Sequence, residues 1–140
     1  MVDKIFSRDQ RRFKRIKVNL SVIYRLARPA AIRLLIGNKE VKATMLDLSE
    51  GGISVLTNYD IPKVTALLIK FILFKIENND VCFYGPMKIG GEVRYNMPLG
   101  GNEYRLGICF KKINKLDKSE ITNFVKSNGA LPIFEAFPTL

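Results

Sequence analysis

The chain has 140 residues, of which 47% are hydrophobic and 26% are charged. This length and composition predict one domain with a single core and exclude a long disordered region. The formal net charge of +10 favours an anionic partner such as a nucleotide, a nucleic acid or an acidic membrane face.

The residue types that are missing narrow the chemistry. The chain has no histidine, so the usual zinc ligand and the commonest general base are both absent. Cys82 and Cys109 form no CxxC pair, and we expect two reduced, partly buried thiols. The N-terminus is too polar for a secretory signal, and the apolar stretch 64–76 is too short and too charged to span a bilayer. We therefore expect a cytoplasmic binding protein, not an enzyme, without metal or cofactor.

Taken in chain order, residues 1–15 form a basic leader, which we expect to be a flexible or ligand-ordered arm. Apolar and polar residues alternate from Ile16 to Tyr24, which predicts a half-buried strand. Further short strands are predicted over 31–36, 41–45, 53–56, 67–76, 87–95 and 104–110, with turns at 37–38, 78–80 and 98–102. Gly90-Gly91 predicts a bulge or a bend in a strongly curved sheet. The stretch 67–76 is apolar on both faces, as in a covered central strand or an interface strand.

One helix is predicted near the C-terminus. Asp117 is a candidate N-cap, and Glu120 three residues later completes a capping-box pattern. Leu116 and Ile121 have the spacing of a hydrophobic staple, and Gly129 suits the position after the last turn. Residues 129–140 form an apolar tail that either packs on the domain or binds a partner. Many short strands and one late helix favour a small antiparallel barrel or sandwich.

The leader contains an arginine pair, Arg11 and Arg15, with Arg12 beside it. Two guanidinium groups can donate paired hydrogen bonds to phosphate oxygens and to guanine, and can stack on a purine. Arg8 with Arg12 gives a second register of the same spacing. Alone, such a pair is typical of a solvated charge cluster.

A second motif, Asp47-Leu48-Ser49-Glu50-Gly51-Gly52, follows about thirty residues later. Asp47 can accept from the N1–H and the amine of guanine, and Ser49 can bond a phosphate, a base edge or the turn backbone. Gly52 allows a sharp turn and a close approach of ligand. Alone, this segment is typical of a turn between strands.

In this order the motifs resemble the pattern of the PilZ domain family, RxxxR followed by D/N-x-S-x-x-G. Segments 91–94 and 106–110 look like later strands of that family. The resemblance extends from residue 11 to about residue 128. The matching motif residues are Arg11, Arg12, Arg15, Asp47, Ser49 and Gly52.

The resemblance implies a mainly β fold, a six-stranded antiparallel barrel with a C-terminal α-helix over residues 16–128. It implies that the leader 1–15 wraps over cyclic di-GMP seated on the barrel, at the six motif residues. The chain would then be a bacterial second-messenger receptor whose leader rearranges on binding and alters contact with a partner protein.

Two other functions remain open from the sequence. A nucleic-acid-binding barrel would use the net charge and the aromatic residues Phe13, Tyr24, Tyr95 and Tyr104. A ligand-independent structural adaptor would use residues 67–76 or the apolar tail as an interface.

Overall fold

The computed structural model describes residues 14–28, 39–128 and 134–135. The elements in these residues are β1 (Arg15–Arg28), β2 (Val41–Ser49), β3 (Gly52–Thr57), β4 (Ala66–Glu77), β5 (Asp80–Gly100), β6 (Glu103–Lys112), α1 (Lys115–Asn128) and β7 (Phe134–Glu135). The predicted strand 31–36, the leader before residue 14 and Gly129 lie outside the described residues. The described part of the chain contains no helix with the length and apolar character needed to cross a membrane.

The first six strands form a closed antiparallel ring. Their order is β2-β3-β6-β5-β4-β1, and an additional pairing between β1 and β2 closes the ring. The prediction of a six-stranded antiparallel barrel with a C-terminal helix is therefore confirmed. The two residues of β7 form an unpredicted seventh strand that pairs in parallel with β1 at Val18 and Asn19, so this part of the apolar tail lies against the barrel.

The core follows from the alternation of each strand, because successive side chains point to opposite faces. On β1 every second residue is buried: Ile16, Val18, Leu20, Val22, Tyr24 and Leu26. β4 is a central strand between β1 and β5, with Leu67 and Ile69 in the core. Its outer face is not fully covered, however, since Leu68 is 38% exposed.

Two predicted backbone features of the long strand β5 are present. Asn78 and Asn79 have φ values of 53° and 68°, and they form the tight turn between β4 and β5. The pairing of β5 with β6 shifts register between Gly90 and Gly91, which confirms the predicted bulge.

The predicted start of the helix is wrong. α1 begins one residue after Asn114, whose Oδ1 accepts a hydrogen bond from the Asp117 backbone N–H at 2.7 Å. Asn114 is therefore the N-cap, and Asp117 is the third helical residue rather than the cap paired with Glu120. The predicted staple between Leu116 and Ile121 is also wrong, because Leu116 is 65% exposed. Asn114 and Asp117 are both of residue types that suit an N-cap. The helix begins after the first of them along the chain, Asn114.

Candidate ligand-binding site

The second motif forms the turn between β2 and β3, and an open cleft of about 530 Å³ lies beside it. We call this the turn cleft. Its volume falls in the range of small-molecule sites. The lining residues are Arg15, Ser49, Glu50, Gly51, Gly52, Ile53, Arg94, Tyr95, Gly107, Ile108, Cys109, Phe110, Ile113 and Lys118.

Asp47 lies next to this cleft as a buried carboxylate held by two arginines. Arg15 Nη1 donates to Asp47 Oδ1 at 2.9 Å, and Arg105 Nη2 donates to Asp47 Oδ2 at 3.0 Å. Arg105 Nη2 also lies 3.3 Å from Ser54 Oγ. Both oxygens of Asp47 are thus occupied, although each is expected from the sequence to be available to guanine. Each carboxylate oxygen has a second lone pair, so Asp47 can accept from a ligand beside its arginine partners or in exchange for one of them.

The strand register explains how these charges meet. Arg15 is opposite Ser49 in the β1–β2 pair, two residues from Asp47 along β2. Asp47 is opposite Ser54 in the β2–β3 pair. Arg105 comes from β6, on the far side of β3, and reaches across β3 to Asp47. Nothing in the local sequence around Arg105 signals this contact, because it depends on the pairing of three strands.

The Ser49 hydroxyl is occupied within the turn. Ser49 Oγ donates to the Gly52 carbonyl at 3.3 Å and accepts from the Gly51 N–H at 3.2 Å. Both distances are long for hydrogen bonds that involve a hydroxyl. Ser49 therefore supports the turn, and exchanging one of these weak bonds for a ligand bond has a low cost.

Gly52 is required by the packing of the barrel. It lies opposite Cys109 in the β3–β6 pair, and a Cβ at this position would overlap the carbonyl oxygen of Ile108. No side chain larger than hydrogen fits unless β3 and β6 move apart. Gly52, which the sequence predicts to allow the close approach of a ligand, is thus also required for the close approach of β6 to β3.

Tyr95 supplies an aromatic face in the cleft. Its ring covers Gly107 so closely that a Cβ there would overlap the ring carbons. The half-buried ring is therefore fixed against the backbone of β6. A planar ligand group can stack on such a ring. Among the other sequence candidates, Tyr24 is buried, and its hydroxyl lies 2.8 Å from Thr57 Oγ1, so it is unavailable for stacking. Tyr104 is partly buried against the core.

The electrostatics of the cleft favour an anion. Among the described lining residues, Arg15, Arg94 and Lys118 carry positive charge and Glu50 carries the one carboxylate. Sequence reasoning missed Arg94 and Lys118, which come from β5 and α1 and meet only in the folded barrel.

Arg11 and Arg12 lie outside the described residues, so their predicted roles stay predictions. Cys109, also in the lining, and Cys82 are reduced thiols of intermediate burial, as predicted.

Comparisons with known proteins agree with this fold. The family model of the PilZ domain matches residues 9–127. No curated protein matches the chain.

Three solved structures are similar in fold at low sequence identity. The Bacillus subtilis inhibitor of motility (MotI/DgrA) has a TM-score of 0.65 at 14% identity, over 86% of this chain and 51% of that one. The PilZ domain of YcgR from Escherichia coli with c-di-GMP has a TM-score of 0.55 at 16% identity, over 86% and 92%. YcgR from Escherichia coli in complex with c-di-GMP has a TM-score of 0.58 at 14% identity, over 86% and 46%.

The chain thus spans about half the length of MotI and of the longer YcgR chain, and most of the isolated YcgR domain. These identities are too low to transfer a ligand, and they show a shared fold. The family model, in contrast, matches well over half of the sequence, from the end of the leader through α1. On that match, this protein belongs to the PilZ domain family.

Proposed function

We propose that this protein is a cyclic di-GMP receptor that binds its ligand in the turn cleft without transforming it. The observation that carries this proposal is the position of Arg15. It is the first residue of β1, lines the cleft and is bonded to the motif carboxylate Asp47. Two YcgR structures of the same fold contain c-di-GMP, which supports the choice of ligand.

The chemistry of the cleft fits the parts of this ligand. Cyclic di-GMP presents two phosphates, which pair with the guanidinium groups of Arg15 and Arg94 and with the ammonium of Lys118. Its guanine bases present a flat face to Tyr95 and hydrogen-bond donors to Asp47. The ligand's negative charge replaces the Asp47 carboxylate as a partner of Arg15.

Binding is proposed to act through an exchange of ion-pair partners. Arg15 is the last residue of the leader and the first of β1, so a ligand that draws its side chain into the cleft also brings Arg11 and Arg12 towards the phosphates. Arg105 remains on Asp47 and limits the cost of removing Arg15. The ordered leader then changes the surface offered to a partner protein, with ligand contacts offsetting the entropy of ordering.

The test is isothermal titration of cyclic di-GMP into the parent protein and into Arg15→Ala. We expect saturable binding by the parent. Arg15→Ala should weaken affinity by about tenfold to hundredfold, because a charge-assisted bond contributes about 1.5–3 kcal/mol. The matched control is Arg25→Ala, which removes an exposed arginine from the same strand outside the cleft and should leave affinity unchanged.

A folded parent that shows no binding contradicts the proposal. Equal losses in Arg15→Ala and Arg25→Ala would also contradict it, since bulk positive charge rather than the cleft would then attract the ligand.

A further inference from the structure

A second concave surface lies on the outside of the barrel, away from the motif turn. One row of directly paired residues crosses four neighbouring strands, β1, β4, β5 and β6. The row consists of Arg25, Leu68, Gly90 and Lys112. Gly90 has no side chain and Leu68 is 38% exposed, so the middle of the row is a low apolar floor between two cations.

A second row runs beside the first. Ile23 is opposite Lys70, and Lys70 is opposite Lys88. Cavities of about 620 Å³ and 220 Å³ lie over the two rows and share Leu68 in their linings. We call this continuous surface the basic groove.

The basic groove already holds one carboxylate of this chain. Glu40 Oε2 lies 2.6 Å from Lys70 Nζ, with both side chains partly exposed. The pKa of Glu40 is lowered, first by its hydrogen bond with Lys70 and further by the charges of nearby cations. Glu92, the other carboxylate among the described groove residues, lies 3.6 Å from Lys111 Nζ. The described groove residues thus leave a surplus of positive charge around the floor.

Val64 is an exposed apolar residue at the edge of the groove, in a strained conformation. It is 70% exposed, and its φ of 73° is a rare value for a β-branched residue. Hydrogen bonds hold it there: the Val64 N–H donates to Val93 O at 2.8 Å, and the Val93 N–H donates to Thr65 O at 3.0 Å. Glycine would suit this backbone better, so packing within the barrel does not account for valine here.

We infer that the basic groove binds an acidic segment of a partner protein, with apolar side chains of that segment on Leu68 and Val64. Carboxylates of the partner pair with Arg25, Lys88 and Lys112 as Glu40 pairs with Lys70. This inference deepens the proposed function by giving the chemistry of the partner, and it rests on that function only for the claim that the ligand regulates docking.

Other occupants fit the surface less well. Single-stranded nucleic acid is bound through stacked bases as well as phosphates, and the described lining contains one aromatic residue, Tyr24, which is buried. A flat bilayer does not follow a concave surface. The chain's own segment 29–38 contains no carboxylate to pair with the lysines.

The test measures binding of a fluorescein-labelled peptide of alternating glutamate and leucine by fluorescence anisotropy, without cyclic di-GMP. Lys88→Glu should weaken binding by about tenfold or more, because a repulsive contact replaces an attractive one. The matched control is Lys126→Glu, which makes the same charge change on an exposed residue of α1 and should alter binding by less than about twofold.

A second variant separates docking from folding. Val64→Gly should raise the melting temperature by removing backbone strain, yet weaken peptide binding by about threefold to tenfold through lost apolar contact. A variant that is more stable and binds less tightly cannot be explained by partial unfolding. Unchanged peptide binding in Val64→Gly would overturn the docking role of this residue.

The remaining outcomes also decide the inference. It is overturned by no binding of the peptide to the folded parent, or by equal losses in Lys88→Glu and Lys126→Glu. It is also overturned if phosphatidylglycerol vesicles or a single-stranded oligonucleotide bind more tightly than the peptide with the same dependence on Lys88. Calorimetry with cyclic di-GMP on the same samples keeps the two proposals separate, because peptide binding and ligand binding can each fail alone.

Discussion

Two carboxylates in the described part of the chain are buried in different ways, and the difference distinguishes a candidate site from a structural support. Asp47 is 6% exposed and Asp117 is 7% exposed. Asp47 is held by the guanidinium groups of Arg15 and Arg105, on separate strands. Asp117 accepts from neutral donors, the Tyr84 hydroxyl at 2.7 Å and Asn114 Nδ2 at 3.1 Å.

The surroundings of Asp117 are complete without any ligand. Its backbone N–H is bonded to the N-cap Asn114, and it lies in the first turn of α1, where the helix dipole favours a carboxylate. Asp47 instead depends on two long side chains that are 34% and 38% exposed and can turn towards another anion. Neutral local partners fix a fold, whereas partly exposed charged partners permit exchange.

The largest effect that sharpens this comparison is expected from Asp47→Asn. The amide keeps the size of the side chain but loses an acceptor, so cyclic di-GMP affinity should fall by about tenfold to hundredfold in calorimetry. Stability to urea should fall by only about 1 kcal/mol, because solvent screens the half-exposed arginines. Tighter ligand binding in Asp47→Asn would show instead that Asp47 acts only as a competitor for Arg15.

Asp117→Ala should give the opposite pattern. Loss of the carboxylate leaves Tyr84 and Asn114 without their acceptor, so the free energy of unfolding should fall by about 1–2 kcal/mol. Cyclic di-GMP affinity should change by less than about threefold, provided that Lys118 keeps its place in the cleft. Urea unfolding and calorimetry on one preparation check both values. If Asp117→Ala lowered the free energy of binding by more than the free energy of unfolding, the distinction between the two carboxylates would be wrong.

Arg105→Met should produce a smaller loss of cyclic di-GMP affinity than Asp47→Asn. Removing one of the two guanidinium groups should lower cyclic di-GMP affinity by about threefold to tenfold, because Asp47 then has only Arg15 and releases it less readily. Arg105→Lys should restore part of the affinity, since lysine supplies the charge without the planar fork. The control is Arg25→Met, which makes the same change on an exposed residue. Equal affinity in parent and Arg105→Met would contradict a role in the exchange.

The smallest effect is expected on stability at alkaline pH, from the Tyr84 hydroxyl that donates to Asp117. The hydrogen bond to Asp117, helped by burial, raises the pKa of Tyr84 to about 12, from an ordinary 10.0. The folded protein therefore holds this proton more tightly than the unfolded chain. Its contribution to stability is complete below pH 10 and is lost as the pH rises through about 12.

Tyr84→Phe should accordingly make the fall in stability above pH 10 less steep in urea titrations. Some fall should remain, because burial also raises the pKa of Tyr24 to about 12. An unchanged slope would show that the Tyr84–Asp117 bond does not contribute to stability.

The fold was largely predictable because it depends on local alternation. The pattern from Ile16 to Tyr24, the turn at Asn78-Asn79 and the bulge at Gly90-Gly91 are all read from neighbouring residues. The helix start was missed by three residues because two polar residues three positions apart, Asn114 and Asp117, both suit a cap.

The arrangement of the candidate site was predictable only for the motif residues, and their ligand-binding roles stay predictions. Arg15, Asp47, Ser49 and Gly52 meet at one turn because they occupy the ends of paired strands. Arg105 was missed because its contact depends on the register of β6 with β3, which alternation alone does not specify. The rows of the basic groove were missed for the same reason, since each combines residues from three or four strands.

The position of Gly52 has a consequence for how this motif persists in evolution. Because the Ile108 carbonyl occupies the space of a Cβ, selection for a folded barrel alone is enough to retain the glycine. A descendant that had lost its ligand would keep Gly52 as long as β3 and β6 stayed paired. The partly exposed arginine at the start of β1, which the packing does not require in this way, is therefore the more sensitive genetic marker of a working receptor.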